Sequence, residues 1–291
     1  MGYLYLTMAL AGGLLKGFSA KKLSNNVNDF KDCLVANLYR MFFCGFIGFL
    51  SIGFDLSLLK ISSKEVGVFI ISSASMVAFC VTYMFAYKLS AYMYLSLFGM
   101  LGSILTCLLS FFIYKEKITL NKWIGIGIIL IAVLIMSKYN KDIKGISIKG
   151  IIILIFAAIS VALSDFSQKI YSKEIGGSAR SFNFYTYFFG CIIIMLFLLK
   201  NTGVTIRKIK NYEIKNIFIC ILISAGLYIN TLSKTTATNY MSSAEIYPVL
   251  QGANLIASAI LAQILLKEKI NVNSVCGMLC AFIGLMIMYL K

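Results

Sequence analysis

The sequence predicts an all-α integral membrane protein with ten transmembrane helices arranged as two inverted five-helix repeats. Three observations lead there. First, 60% of the 291 residues are hydrophobic and 13% are charged, with a mean hydropathy of +0.88, where soluble chains carry about one quarter charged residues. Second, apolar runs alternate with short basic clusters along the whole length. Third, a charged tetrad recurs at a fixed offset late in the chain. A spanning helix takes roughly 20 apolar residues, so ten spans leave only connections and ends, and no soluble domain.

The expected spans are, in order, 3–20, 34–53, 66–87, 91–113, 123–137, 150–168, 182–199, 217–233, 241–266 and 274–290. Each is bounded by lysines or by polar residues that hold helix ends at the lipid headgroups. The amino terminus, Met-Gly-Tyr-Leu-Tyr-Leu-Thr, carries no basic segment, so the first run reads as a retained helix rather than a cleaved signal. The net charge of +16 would suggest nucleic acid in a soluble chain. Here the basic residues fall between apolar runs, and no nucleic-acid partner is expected. With no histidine, zincin motifs and histidine-based triads are excluded. The eight cysteines form no CxxC pair and lie almost all inside apolar runs, as small hydrophobes do. No enzyme, no metal site and no cofactor is expected.

The repeat is the most informative feature. Lys115-Glu116-Lys117-Ile118 returns as Lys267-Glu268-Lys269-Ile270, and nine of the 22 positions 115–136 are identical at that offset of 152. A second match pairs Gly17 to Ser24 with Asp165 to Ser172. The units are 1–138 and 148–291. Five spans is an odd number, so the second unit must enter the membrane upside down. Inverted halves around a central cavity are the build of alternating-access carriers.

These residues resemble the drug/metabolite transporter superfamily, specifically the ten-helix EamA-type carriers. The Lys-Glu-Lys corner after the fourth helix of each half, the following glycines Gly125 and Gly277, Arg40 and Pro248 carry the resemblance. The first half departs from it, with Ser96 where the offset would place a partner of Pro248. The resemblance implies a multi-pass protein of the cell (cytoplasmic) membrane with both termini in the cytoplasm. The connections that this arrangement puts inside carry fewer lysines and arginines than those it puts outside, against the usual bias.

Of eleven acidic residues, nine fall in or beside connections, leaving Asp165 and Glu245 at membrane depth. Ionisable groups there are costly and mark function by default. Both are coupling candidates, Glu245 first, since partial burial would raise its pKa towards the working range. Tyr247, Gln251, Asn254 and Ser258 share one helical face, which should line the substrate cavity. Tyr83, Tyr185 and Asn230 are further lining candidates. Pro248 and Gly252 are the expected hinge, because proline withholds a backbone donor and frees the carbonyl of Ala244. Lys16 and Arg40 read as headgroup or vestibule contacts, and a pairing of Lys16 with Asp165 is disfavoured by their expected placement towards opposite faces. The GxxxG of Gly13 and Gly17 reads as a packing face.

The expected function is secondary active export of small amphipathic metabolites, amino acids or drug-like compounds, coupled to a proton or substrate gradient. The alternative is a lipid-intermediate flippase or a membrane subunit of another complex. Expected partners are a small-molecule substrate and membrane lipid, with the chain a monomer or a homo-dimer.

Overall fold

The computed structural model describes residues 1–53, 55–89, 92–116, 118–137, 148–201, 209, 212–266 and 272–289. Ten helices of 18 residues or more are found among them. They are α1 (Gly2–Ser24), α2 (Phe30–Ile52), α3 (Ser63–Leu89), α4 (Tyr92–Tyr114), α5 (Leu120–Ser137), α6 (Ile148–Ile170), α7 (Ala179–Asn201), α8 (Ile214–Ala237), α9 (Ser243–Leu266) and α10 (Val272–Tyr289). Six helical segments, Phe30–Ile52, Ser63–Ala86, Ile152–Ile175, Ala179–Lys200, Ile214–Ala237 and Ser243–Leu265, are each long and apolar enough to cross a membrane. The chain is therefore a multi-pass membrane protein.

Several helices outrun their apolar stretches, and the reason is local. α1 carries Lys21 and Lys22 in its last turn, where cations meet the negative end of the helix dipole. Asp29 caps α2 by accepting from the Asp32 amide at 2.6 Å. Glu65 accepts from the Ser62 amide at 2.6 Å and Glu245 from the Ser242 amide at 3.1 Å, each the acid's half of an S-x-x-E capping pattern. At the other end of the sixth span, a π-turn over Tyr171–Ile175 extends α6 and stops at Gly176, whose φ of 67° suits a residue without a side chain. α9 runs as one continuous helix through Pro248 and Gly252.

Hydrophobic side chains are turned outward in number, among them Phe42, Phe46, Phe49, Ile70, Phe156 and Leu196. Polar groups are turned inward, as lipid demands. Since lipid tails are as apolar as leucine, the helices associate through close backbone approach and interior hydrogen bonds rather than through hydrophobic burial. α1 and α8 cross at Gly12 and Gly226, where a Cβ on Gly12 would sit 2.6 Å from the Gly226 carbonyl oxygen. α4 meets α6 at Gly102, 2.6 Å by the same measure from the Ala158 carbonyl. Arg40, expected near a headgroup, is instead 3% exposed inside the bundle. It donates to Asn37 Oδ1 at 2.7 Å and to Cys80 Sγ at 3.6 Å.

The principal helix pairings are α1·α8, α3·α6, α2·α7, α5·α10, α4·α6, α4·α9, α2·α8, α3·α7 and α1·α9. Exchanging each helix with the one five places away maps this set onto itself. α1·α8 becomes α6·α3, α4·α6 becomes α9·α1, and α2·α8 becomes α7·α3, while α2·α7, α4·α9 and α5·α10 are unchanged.

Candidate substrate cavity

The cavity is built by six helices: α1, α3, α4, α6, α8 and α9. Counting its open mouth, it encloses about 730 Å³. Its apolar lining includes Met76 and Phe79 of α3 and Leu227 of α8. The polar contribution includes Lys16 on α1, Tyr83 on α3, Ser164 and Asp165 on α6, Asn230, Thr231 and Lys234 on α8, and Gln251 and Asn254 on α9.

Asp165 is 1% exposed and its Oδ1 accepts from the Lys234 ammonium. Its backbone carbonyl accepts from the Tyr247 hydroxyl at 2.8 Å, tying α6 to α9. Its second carboxylate oxygen, Oδ2, is buried without a hydrogen-bond partner. Asn254 Oδ1 is likewise unpartnered, whereas the Asn230 amide donates to the Ala9 carbonyl at 2.6 Å. Lys16 lies over the Phe79 ring, its Nζ 5.1 Å from the ring centre.

The sequence-predicted residues divide between cavity and packing. Gln251, Asn254, Tyr83, Asn230 and Asp165 line the cavity. Tyr247 is fully buried instead, one turn nearer the end of α9, where α6 closes over it. Ser258 is buried and donates to the Leu255 carbonyl. Tyr185 belongs to an aromatic cluster with Phe69, Tyr171 and Phe182, its hydroxyl donating to the Leu59 carbonyl at 2.7 Å. Glu245 is not among the residues that line this cavity; it accepts from the Ser242 amide at the start of α9 and pairs with Lys122 at 3.1 Å. Its position in the first turn of a helix dictates that role, and the S-x-x-E spacing was legible beforehand.

Lys16 is a correction, because it shares the cavity with Asp165. Both helices continue past their apolar runs, so residues that looked terminal lie well inside them. Gly13 and Gly17 also line the cavity; a Cβ on Gly13 would meet Asn230 Nδ2 at 3.2 Å, and the closest backbone approach is at Gly12 beside it.

Near one end of the bundle, the corner after α4 turns at Lys115, whose φ is 50°. This aims Glu116 back at Lys169, 2.9 Å away, and Lys173, 3.5 Å away, while the Ser243 amide donates to it at 3.2 Å. Burial acts to raise the Glu116 pKa, but these donors and charges outweigh it and hold the carboxyl below its ordinary range. The second copy of the corner, at Lys267 to Lys269, lies outside the described residues.

Cysteine placed at Gln251 or Asn254, in a chain freed of its native cysteines, is expected to react readily with a water-soluble thiol reagent. Cysteine at Tyr247 or Leu255, both fully buried, is expected to stay inert. Labelling rates by mass spectrometry check this, and equal rates at all four sites would make the α9 face mere packing.

A charged, polar cavity enclosed by lipid-facing helices defines a membrane transporter as a class. The chain belongs to the EamA-like transporter family, whose model matches residues 3–138 and again 148–290. It is 28% identical over 226 residues to an uncharacterized transporter of Clostridium kluyveri, covering 75% of this chain and 68% of that protein. A solved crystal structure at 13% identity aligns over 98% of this chain and 97% of its own, with a TM-score of 0.71. At that identity it speaks for the fold alone.

Proposed function

We propose that the chain is a secondary carrier of the cytoplasmic membrane that exports small amphipathic metabolites by alternating access between two inverted halves, 1–138 and 148–291. One observation carries the reading. The six helices that wall the cavity, α1, α3, α4, α6, α8 and α9, form a set that the five-place exchange maps onto itself. A cavity built from equivalent helices of two units can open first to one side and then to the other as the units rock. Two consecutive matches to one family model, meeting between residues 138 and 148, support the same division.

Coupling is assigned to Asp165 rather than Glu245, because its carboxylate is the acid on the cavity wall and one of its oxygens is unpartnered. The reading is tested by reconstituting the chain into vesicles of defined phospholipid that hold no lipid-linked intermediate. Counterflow of a labelled amino-acid and organic-acid mixture should run several-fold above empty vesicles. Absence of small-molecule flux together with lipid movement between leaflets would favour the flippase alternative.

A further inference from the structure

We infer that the cavity selects molecules with a net negative charge, carried by a carboxylate that pairs with Lys16 and borne on an apolar body. The inference rests on the carrier reading and names the substrate class for the same site.

The argument is a charge inventory. Asp165 is the carboxylate on the cavity wall, and Lys234 already pairs with it, so those two cancel. Lys16 faces the same space with the Phe79 ring as its recorded partner. Arg40 lies within electrostatic reach of Lys16 and is itself buried, with Nε unpartnered. The other described acids are held elsewhere. Asp29 and Asp32 sit at the start of α2 and Asp55 at the short turn after it. Glu65 bonds Ser62 and Tyr171, and Glu116 bonds Lys169. Glu213 bonds Asn216, Glu245 pairs with Lys122, and Glu174 acts on Tyr114. Among the described residues, no carboxylate remains to neutralise Lys16 and Arg40. Uncompensated charge at membrane depth is costly. A ligand that brings the missing negative charge therefore gains more than a neutral or zwitterionic one of equal shape.

The rest of the wall fixes the ligand's other end. Met76, Phe79 and Leu227 offer apolar and aromatic surface. Asp165 and Asn254 line the cavity and each carries an unpartnered acceptor oxygen, which favours a ligand that also bears a hydrogen-bond donor, such as a hydroxyl. The chemistry described is that of a hydroxylated or otherwise donor-bearing monocarboxylate.

A shape-matched series separates charge from fit: phenyllactate is the anion, phenylalanine the zwitterion, phenyllactamide the neutral form and phenethylamine the cation. Binding to the full chain in detergent is measured by calorimetry, and flux by counterflow in vesicles. Phenyllactate should bind about tenfold or more tighter than phenyllactamide and phenylalanine, as a charge-assisted hydrogen bond implies. Lys16→Gln should erase that preference and Lys16→Arg should keep it. Should Lys16→Gln fail to fold, the preference of the parent chain decides alone. Equal affinity for anion and amide, tighter binding of the zwitterion, no binding of any of the four, or a preference that survives in a folded Lys16→Gln overturns the inference. Counterflow of phenylalanine without anion preference would leave the carrier reading standing while this one falls. Selective binding of phenyllactate without flux would do the reverse.

Discussion

Asp165→Ala is expected to destabilise the folded chain by about 3–5 kcal/mol, the usual cost of removing one partner from a buried ion pair. Asp165 and Lys234 are both buried, and their ion pair joins α6 to α8 at the cavity wall. Removing the carboxylate leaves an ammonium at membrane depth with no counter-ion and also removes the acid from the cavity wall, so flux should vanish with the stability. The loss should be smaller in Asp165→Ala combined with Lys234→Met, because no orphan charge is then created. Unfolding in mild detergent, followed by circular dichroism against added denaturing detergent, measures all three variants. If the single and double variants unfold together, the pair contributes nothing beyond its separate side chains.

Gly12→Ala is expected to cost about 1–3 kcal/mol, the range for overpacking a well-packed site. The added methyl would meet the Gly226 carbonyl at 2.6 Å and the Asn230 amide at 2.7 Å. Both are backbone atoms, so α1 and α8 must move apart rather than a side chain turning aside. α1 also lends Lys16 and Gly13 to the cavity, so the displacement should lower transport as well. Gly127→Ala supplies the control, since nothing lies within 4 Å of a Cβ there. In the same unfolding assay it should match the parent or gain up to about 1 kcal/mol from better helix propensity. Equal losses at Gly12 and Gly127 would show that glycine itself, and not the crossing, matters.

Much of the helix layout was readable before any coordinates. Charge clusters mark helix ends because ammonium groups cannot enter lipid, and that rule holds whatever the tertiary contacts are. The α9 face was also legible, since Gln251 and Asn254 follow a helical period that survives packing. Depth along that face was not. Tyr247 lies on the same stripe, and only the approach of α6 turns it from lining into packing. Lys16 escaped for a different reason. Its depth was judged from where the apolar run ends, whereas α1 continues through Lys21 and Lys22 to Ser24. Glu245 is one of two acids near membrane depth, and its three-residue spacing to Ser242 also suits the helix-capping bond that it makes. The pairing of Asp165 with Lys234 joins α6 to α8 and leaves no periodic trace in the sequence.

The crossing of α1 with α8 also sets a clock on biosynthesis. The partner of Gly12 is made about 200 residues later, which at 5–20 residues per second is a wait of about 10–40 s. Through that interval the glycine face of α1 and the ammonium of Lys16 are in the bilayer or the insertion machinery without their final neighbours. α1 is thus seated only once α8 has been made, and a nascent chain halted before α8 should expose α1 to membrane proteases and quality control.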